Sequence, residues 1–174
     1  MIGFLRLLGL LNAAVWLGAA VSFTFAFGPT FFSQEFKATI PEPHNGFAAQ
    51  MVMKRYFILH YCCGGIALLH LILEKLYLGK VIERFMLIVL AITVSLGVLG
   101  GIGLQPKLRE LHLKKYNPRA TPAARAQSDS AFKMWHGVSQ TMNLIILGGL
   151  VIYFWRISNT SNGSRFISAQ KFRG

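Results

Sequence analysis

The sequence contains only six acidic residues, and none of them lies within its four longest apolar runs. Carboxylates are, together with histidine, the usual general acids and bases of enzymes, and the apolar runs of this chain contain no carboxylate. We therefore expect a non-enzymatic protein, with a membrane redox enzyme as the remaining enzymatic alternative.

Cysteine is also scarce. The two cysteines, Cys62 and Cys63, are adjacent in one apolar run, and adjacent residues of a helix point about 100° apart. That geometry excludes an ordinary structural disulfide between them. We interpret both as small packing residues, and Trp16 as a packing or interfacial side chain.

Apolar residues make up 53% of the chain and charged residues 14%, and the mean hydropathy is +0.48. That balance is too apolar for a typical soluble domain. The four longest apolar runs, which contain no acidic or basic side chain apart from two histidines, cover residues 7–34, 56–73, 85–105 and 137–155.

About 20 apolar residues suffice to cross a bilayer as a helix. We therefore predict an all-α polytopic membrane protein, a four-helix antiparallel bundle. The predicted spans, numbered 1 to 4, are about 5–27, 56–78, 84–105 and 136–156. They form one domain, residues 1–158, followed by a basic polar tail, residues 159–174.

The formal net charge is +12, from 18 basic residues. Nucleic acid is not indicated as a partner, because the chain has no nucleic-acid motif. The basic residues lie mainly in connections and helix ends, where anionic lipid headgroups attract them. Ten of the 18 lie in connections 1 and 3, so we predict a bacterial-type inner membrane with those connections in the cytoplasm.

Glycine and proline mark the expected helix ends. Gly28-Pro29 should weaken or kink span 1, and Gly79 should cap span 2. After span 3 the helical pattern continues to Lys115, and Thr121-Pro122 is a good helix start. We predict that spans 3 and 4 extend as a helical hairpin some ~18 Å beyond the bilayer.

Four polar residues recur on one face of span 4. They lie at i, i+3, i+4 and i+7, and are His136, Ser139, Gln140 and Asn143. We call this set the polar stripe. Because polar groups are costly in hydrocarbon, the stripe should face protein or a water-filled cavity.

Counting residues along the helices predicts that polar residues of other spans lie at the level of the stripe. His60 lies 14 residues after Gly46, His136 lies 14 residues after Pro122, and Gln105 lies 12 residues before Asn117. With 1.5 Å of rise per residue, the sequence predicts that His60, Gln105 and His136 meet near one membrane face.

Three interpretations of this predicted cluster remain open. It could be a hydrogen-bonded layer that organises the bundle, or a path for protons or solutes. It could also bind a metal, haem or small ligand, with His60 and His136 as ligands and Cys63 as a further donor. Haem and copper are the cofactors to consider, although the residues favour no bound cofactor.

A different class of function is an accessory subunit of a larger membrane complex, docked through the 3–4 hairpin and the basic tail.

The chain resembles the small four-helix membrane family of unknown function typified by transmembrane protein 205. In span 1 the resemblance rests on Trp16, Leu17, Gly18, Gly28, Pro29, Phe31 and Phe32. In span 2 it rests on Gln50, Lys54, Phe57 and His60. Further on it rests on Leu104, Gln105, Pro106, Phe132, His136, Gly137, Ser139, Asn143 and Leu144. The resemblance implies four spans and, through a distant similarity to four-helix copper-resistance membrane proteins, supports a ligand site at the cluster.

Overall fold

The computed structural model describes residues 2–79 and 83–159, and every regular element in them is helical. The α-helices are α1 Ile2–Ser22, α2 Gly28–Phe32, α3 Gln34–Thr39, α4 His44–Leu78, α5 Arg84–Leu99, α6 Gln105–Lys115 and α7 Pro122–Asn159. Two π-helical turns, Phe23–Phe27 and Gly100–Leu104, join α1 to α2 and α5 to α6. The predicted tail from residue 160 onward and residues 80–82 of the 2–3 turn lie outside the described residues.

Four helices are long and apolar enough to cross a membrane, as the sequence predicts. They cover Gly3–Phe32, His44–Tyr77, Arg84–Lys115 and Pro122–Asn159. Span 1 is thus α1 with α2, span 2 is α4, span 3 is α5 with α6, and span 4 is α7. The all-α, four-helix class is confirmed, and each helix is longer than the apolar run that predicts it.

Both π turns have the same sequence cause. Each lies just before a proline, Pro29 or Pro106, which has no N–H and whose ring crowds the preceding turn. The turn widens instead of breaking: the Gly28 N–H bonds to the Phe23 carbonyl, and the Gln105 N–H bonds to the Gly100 carbonyl. The expected weak point at Gly28-Pro29 is therefore a bulge within a continuous helix.

The helix ends follow the sequence signals. Gly79 takes a left-handed conformation, φ 61°, and ends α4, as predicted. The Ala124 N–H donates to Thr121 Oγ1 at 3.3 Å, so Thr121 caps α7, with Pro122 as its first residue. The loop expected between spans 1 and 2 instead contains the short helix α3, whose Phe36 N–H donates to Ser33 Oγ at 3.2 Å.

A narrow core runs between the spans. Its largest fully buried side chains are Trp16, Tyr153, Leu90, Ile146, Leu150 and His60. Many large apolar side chains point outward instead, because lipid tails are as apolar as leucine and solvate them well. Packing of the inner faces therefore holds the bundle together.

Spans 3 and 4 continue as a helical hairpin made of α6 and the first turns of α7; its predicted extension beyond the bilayer stays a prediction. Lys115 of α6 pairs with Asp129 of α7 at 2.8 Å and joins the two arms, and Lys133, one turn along α7, pairs with the same carboxylate at 2.7 Å. His112 Nε2 lies 3.1 Å from the Pro43 carbonyl oxygen and donates to it. The beginning of α4 is therefore level with His112, well short of the hairpin tip.

Candidate functional site

A cavity of about 630 Å³ lies between the ends of the four spans on the hairpin side. All four residues of the polar stripe line it. The rest of its wall is mainly apolar and aromatic, with Phe23, Pro29, Phe31, Phe32, Met53, Leu108, Tyr116, Phe132 and Leu144. Its size falls in the range of about 300–1,000 Å³ that is usual for small-molecule sites.

Two contacts between spans 1 and 4 bracket the cavity. Toward the membrane centre, Asn143 Nδ2 donates to Thr24 Oγ1 at 2.7 Å. Toward the hairpin, the His136 ring lies between two phenyl rings, 5.3 Å from Phe32 and 5.9 Å from Phe132 between ring centroids. Asn143 is therefore already satisfied by the protein, whereas His136 has mostly apolar neighbours.

Gln50 is the most informative residue of the wall. The residue is only 8% exposed, and among residues 2–79 and 83–159 its Oε1 has no hydrogen-bond partner. A buried polar atom left without a partner costs about 1–3 kcal/mol. Because Gln50 lines the cavity, a molecule inside the cavity could supply the missing partner.

The hairpin end of the cavity carries charge of both signs. Lys115 lies 2.8 Å from Asp129 and 3.9 Å from Glu42, and both Lys115 and Glu42 line the cavity. The lysine is thus already neutralised by two carboxylates. The polar end offers hydrogen bonds without a strong net field, which suits an uncharged polar group better than an anion.

His60 belongs to a different network. The Trp16 indole N–H donates to His60 Nδ1 at 3.0 Å, and His60 Nε2 lies 3.2 Å from the Thr93 carbonyl oxygen. An indole only donates and a carbonyl only accepts, so the imidazole is neutral with its proton on Nε2. Both ring nitrogens are engaged, and the side chain is 1% exposed.

The structure does not place His60 at the height of His136. The Thr93 that holds His60 lies against Gly149 in α7, thirteen residues from His136, or ~20 Å along the helix. The predicted common level was wrong because the three helices were counted from unequal starting points. His112 of α6 contacts the start of α4 at Pro43, and its ring lies 6.1 Å from Phe132 between ring centroids. The start of α4 is therefore level with a residue that is already ten residues into α7.

Gln105 and Cys63 also lie apart from the stripe. Gln105 begins α6 and does not line the cavity. Cys63 is buried, and its carbonyl oxygen accepts a hydrogen bond from Asn12 Nδ2 at 3.0 Å. The residues of the predicted cluster therefore do not form one site. The polar stripe lines the cavity, whereas His60 belongs to a hydrogen-bonded network with Trp16 and Thr93 in the bundle centre, which we call the interlock.

Metal binding has little support from this arrangement. Within residues 2–79 and 83–159, the structure contains no group of three or more His, Cys, Asp or Glu side chains placed to hold a metal ion. Both ring nitrogens of His60 are already hydrogen-bonded, so it would have to give up one of these bonds to become a ligand. The geometry therefore does not fit His60 and His136 as paired ligands of a metal or a haem.

The interlock makes a direct stability prediction. Replacing Trp16 by Phe removes the indole N–H and leaves His60 Nδ1 buried without a donor, which should lower the free energy of unfolding by about 1–3 kcal/mol. The control is Trp155→Phe, because Trp155 is 68% exposed. Denaturant unfolding in detergent measures both, and equal losses for the two variants would contradict this role of Trp16.

Sequence reasoning missed several residues of the cavity wall. Gln50, Glu42 and Lys115 lie outside the apolar runs, where polar side chains are ordinary and attract no notice. Only the resemblance singled out Gln50. Phe32 was part of the apolar run of span 1, and its contact with His136 depends on where the π turn directs the end of that helix.

The model of a family described as a domain of unknown function, DUF4149, matches residues 11–117. The chain belongs to this family. The matched stretch includes Gln50 and the His60 interlock of the DUF4149 chain, while the polar stripe lies beyond it. Comparison with curated proteins and with solved structures finds no match. The narrower likeness to the transmembrane protein 205 group and to copper-resistance proteins stays a prediction.

Proposed function

We propose that this DUF4149 protein is a non-enzymatic, multi-pass membrane protein that binds a small organic amphiphile in the cavity between its four spans. The observation that carries the proposal is Gln50, which lines a mostly apolar cavity and whose buried amide oxygen has no partner in the described part of the chain. Such cavities typically bind a largely apolar molecule and orient it through a few polar groups.

The polar residues then have two separate roles. Ser139, Gln140 and His136 offer hydrogen bonds to the occupant, with the Gln50 amide on the opposite wall. His60 organises the bundle through Trp16 and Thr93. A small organic ligand is favoured over a metal or haem because it needs no imidazole freed from an existing contact.

Photolabelling of the protein in lipid nanodiscs tests the proposal. The probe is a primary alcohol with a short alkyl chain that carries a diazirine, and the labelled residues are mapped by mass spectrometry. We expect labels on cavity residues such as Met53 and Gln140. Labels confined to outward-facing residues such as Ile58 and Ile145 would overturn the proposal.

Gln50→Leu separates binding from folding. Leucine keeps similar bulk and removes the unpartnered amide, so the ligand-free protein should be as stable as wild type or more stable. Labelling of the cavity should fall about tenfold, equivalent to ~1.4 kcal/mol of lost affinity. Gln34→Leu, on the exposed side of α3, is the matched control. If the Gln50→Leu protein is less stable than wild type and its cavity is labelled normally, the Gln50 amide stabilises the fold and does not bind the ligand.

A second candidate is a docking role for the hairpin. Leu113 is 49% exposed and Met134 is 60% exposed, and each adjoins a lysine beyond the apolar runs. Such a surface suits a partner subunit with an apolar, acidic face, on the cytoplasmic side if connections 1 and 3 lie there. Migration as a lone 19.4 kDa chain after mild solubilisation would contradict this candidate.

A further inference from the structure

Spans 1 and 4 together form one side of the cavity. Two contacts hold these spans together at this end: Asn143 with Thr24, and His136 with Phe32. His136 and Asn143 are seven residues apart in α7, or ~10 Å. We call the stretch between these two contacts the window.

Both edges of the window have residues that line the cavity and remain exposed. On span 1 these include Pro29 and Phe32, and on span 4 they include Gln140 and Leu144. Pro29 follows the π turn, where the helix is widened and has lost a regular backbone hydrogen bond. The backbone of span 1 beside the window therefore lacks a helical hydrogen bond that the rest of a regular helix has.

The window faces the bilayer rather than water. Its two edges lie within the apolar runs, residues 7–34 and 137–155. The outward-pointing neighbours are apolar: Phe25 and Phe27 on span 1 are 65% and 50% exposed, and Val138 on span 4 is 47% exposed. Surfaces of this kind are stable only against lipid tails. A molecule that uses the window must already be dissolved in the membrane.

The shape and polarity of the cavity define the occupant. Its wall extends along α7 from Leu144 to Phe132, twelve residues or ~18 Å. The end near the membrane centre has the apolar Phe23, Met53 and Leu144, and the polar Asn143 and Thr24 there are hydrogen-bonded to each other. The other end carries Gln50 and the neutralised Lys115. An elongated molecule with an apolar tail and an uncharged polar head matches this gradient.

We infer that the occupant is a single-chain membrane amphiphile with a hydroxyl-type head, which enters laterally from the bilayer through the window between Pro29 and Gln140. This inference rests on the proposed function, because it names the ligand class and the route for that same cavity. The head hydrogen-bonds the Gln50 amide, and the chain points toward Phe23 and the membrane centre.

The test compares two photoreactive alcohols on protein in phosphatidylcholine vesicles. One has a long alkyl chain and is incorporated in the bilayer, and the other has a short chain and is added from water. The rate at which each labels cavity residues is followed in Gln140→Trp, which narrows the window, and in Val138→Trp, its matched control on the lipid-facing side of α7.

We expect the long-chain alcohol to label the cavity several-fold more slowly in Gln140→Trp than in Val138→Trp, with a smaller change for the short-chain alcohol. Equal rates in the two variants, or equal slowing of both alcohols, would overturn the lateral route. Cavity labelling by the short alcohol alone would overturn the long-chain occupant and leave the proposed function standing. Labelling of the cavity by neither alcohol would refute both.

Discussion

Gly97→Val should prevent the bundle from forming normally. A side-chain carbon at position 97 would collide with the His60 ring, which is held in place by Trp16 and by the Thr93 carbonyl. The ring cannot move aside without losing both hydrogen bonds. Overpacking costs about 1–3 kcal/mol, and a buried polar atom left unpaired costs about 1–3 kcal/mol more. Together these penalties are a large fraction of the stability of a small protein.

Gly103→Val is the matched control, because it makes the same change in the same span. Gly103 is exposed, and a side-chain carbon there would meet nothing within 4 Å. The yield of monodisperse protein and its thermal unfolding in detergent measure both variants. If the two valine variants behave alike, the contact between Gly97 and His60 does not hold spans 2 and 3 together.

Ser139→Trp should abolish ligand binding while leaving the bundle intact. Ser139 lines the cavity beside Gln140 and opposite Gln50, so an indole there occupies the space of the polar head. The indole takes the place beside Gln50 and Gln140 where the polar groups orient the occupant, so the occupant loses its anchoring site. We expect photolabelling of the cavity to fall to the background seen on lipid-facing residues, with an unchanged unfolding temperature.

Thr141→Trp provides the control for this variant. Thr141 is exposed, is absent from the cavity wall, and bonds only to its own helix, at the Gly137 carbonyl. It should label as wild type does. Undiminished cavity labelling in Ser139→Trp would show that the occupant lies elsewhere.

Much of the fold follows from local chemistry. The four apolar runs predict the spans, Thr121-Pro122 predicts the start of α7, and Gly79 predicts the end of α4. Each of these signals depends on hydrophobicity or on the backbone of one or two residues. The polar stripe was equally visible, because its four members share a helical face, and the structure places all of them on the cavity wall.

Relative height was harder to predict. It depends on which residues of separate helices pack together, as His112 does with Gly46 and Phe132, and periodicity within one helix does not contain that information. The same limit hid the partners of His60. From its position in an apolar run, His60 is a candidate ligand of a metal or haem. In the structure its hydrogen bonds are instead completed by Trp16 and the Thr93 carbonyl, which belong to two other spans.

The proposed binding depends above all on a hydrogen bond between Gln50 and the occupant. Solid-state NMR of the protein in phosphatidylcholine vesicles can detect contact between ¹⁵N in the Gln50 side-chain amide and ¹³C in the hydroxyl-bearing carbon of a long-chain alcohol. We predict that this contact is present in the wild-type protein and disappears in Ser139→Trp. A labelled alcohol that contacts only outward-facing residues, such as Leu69, would contradict it.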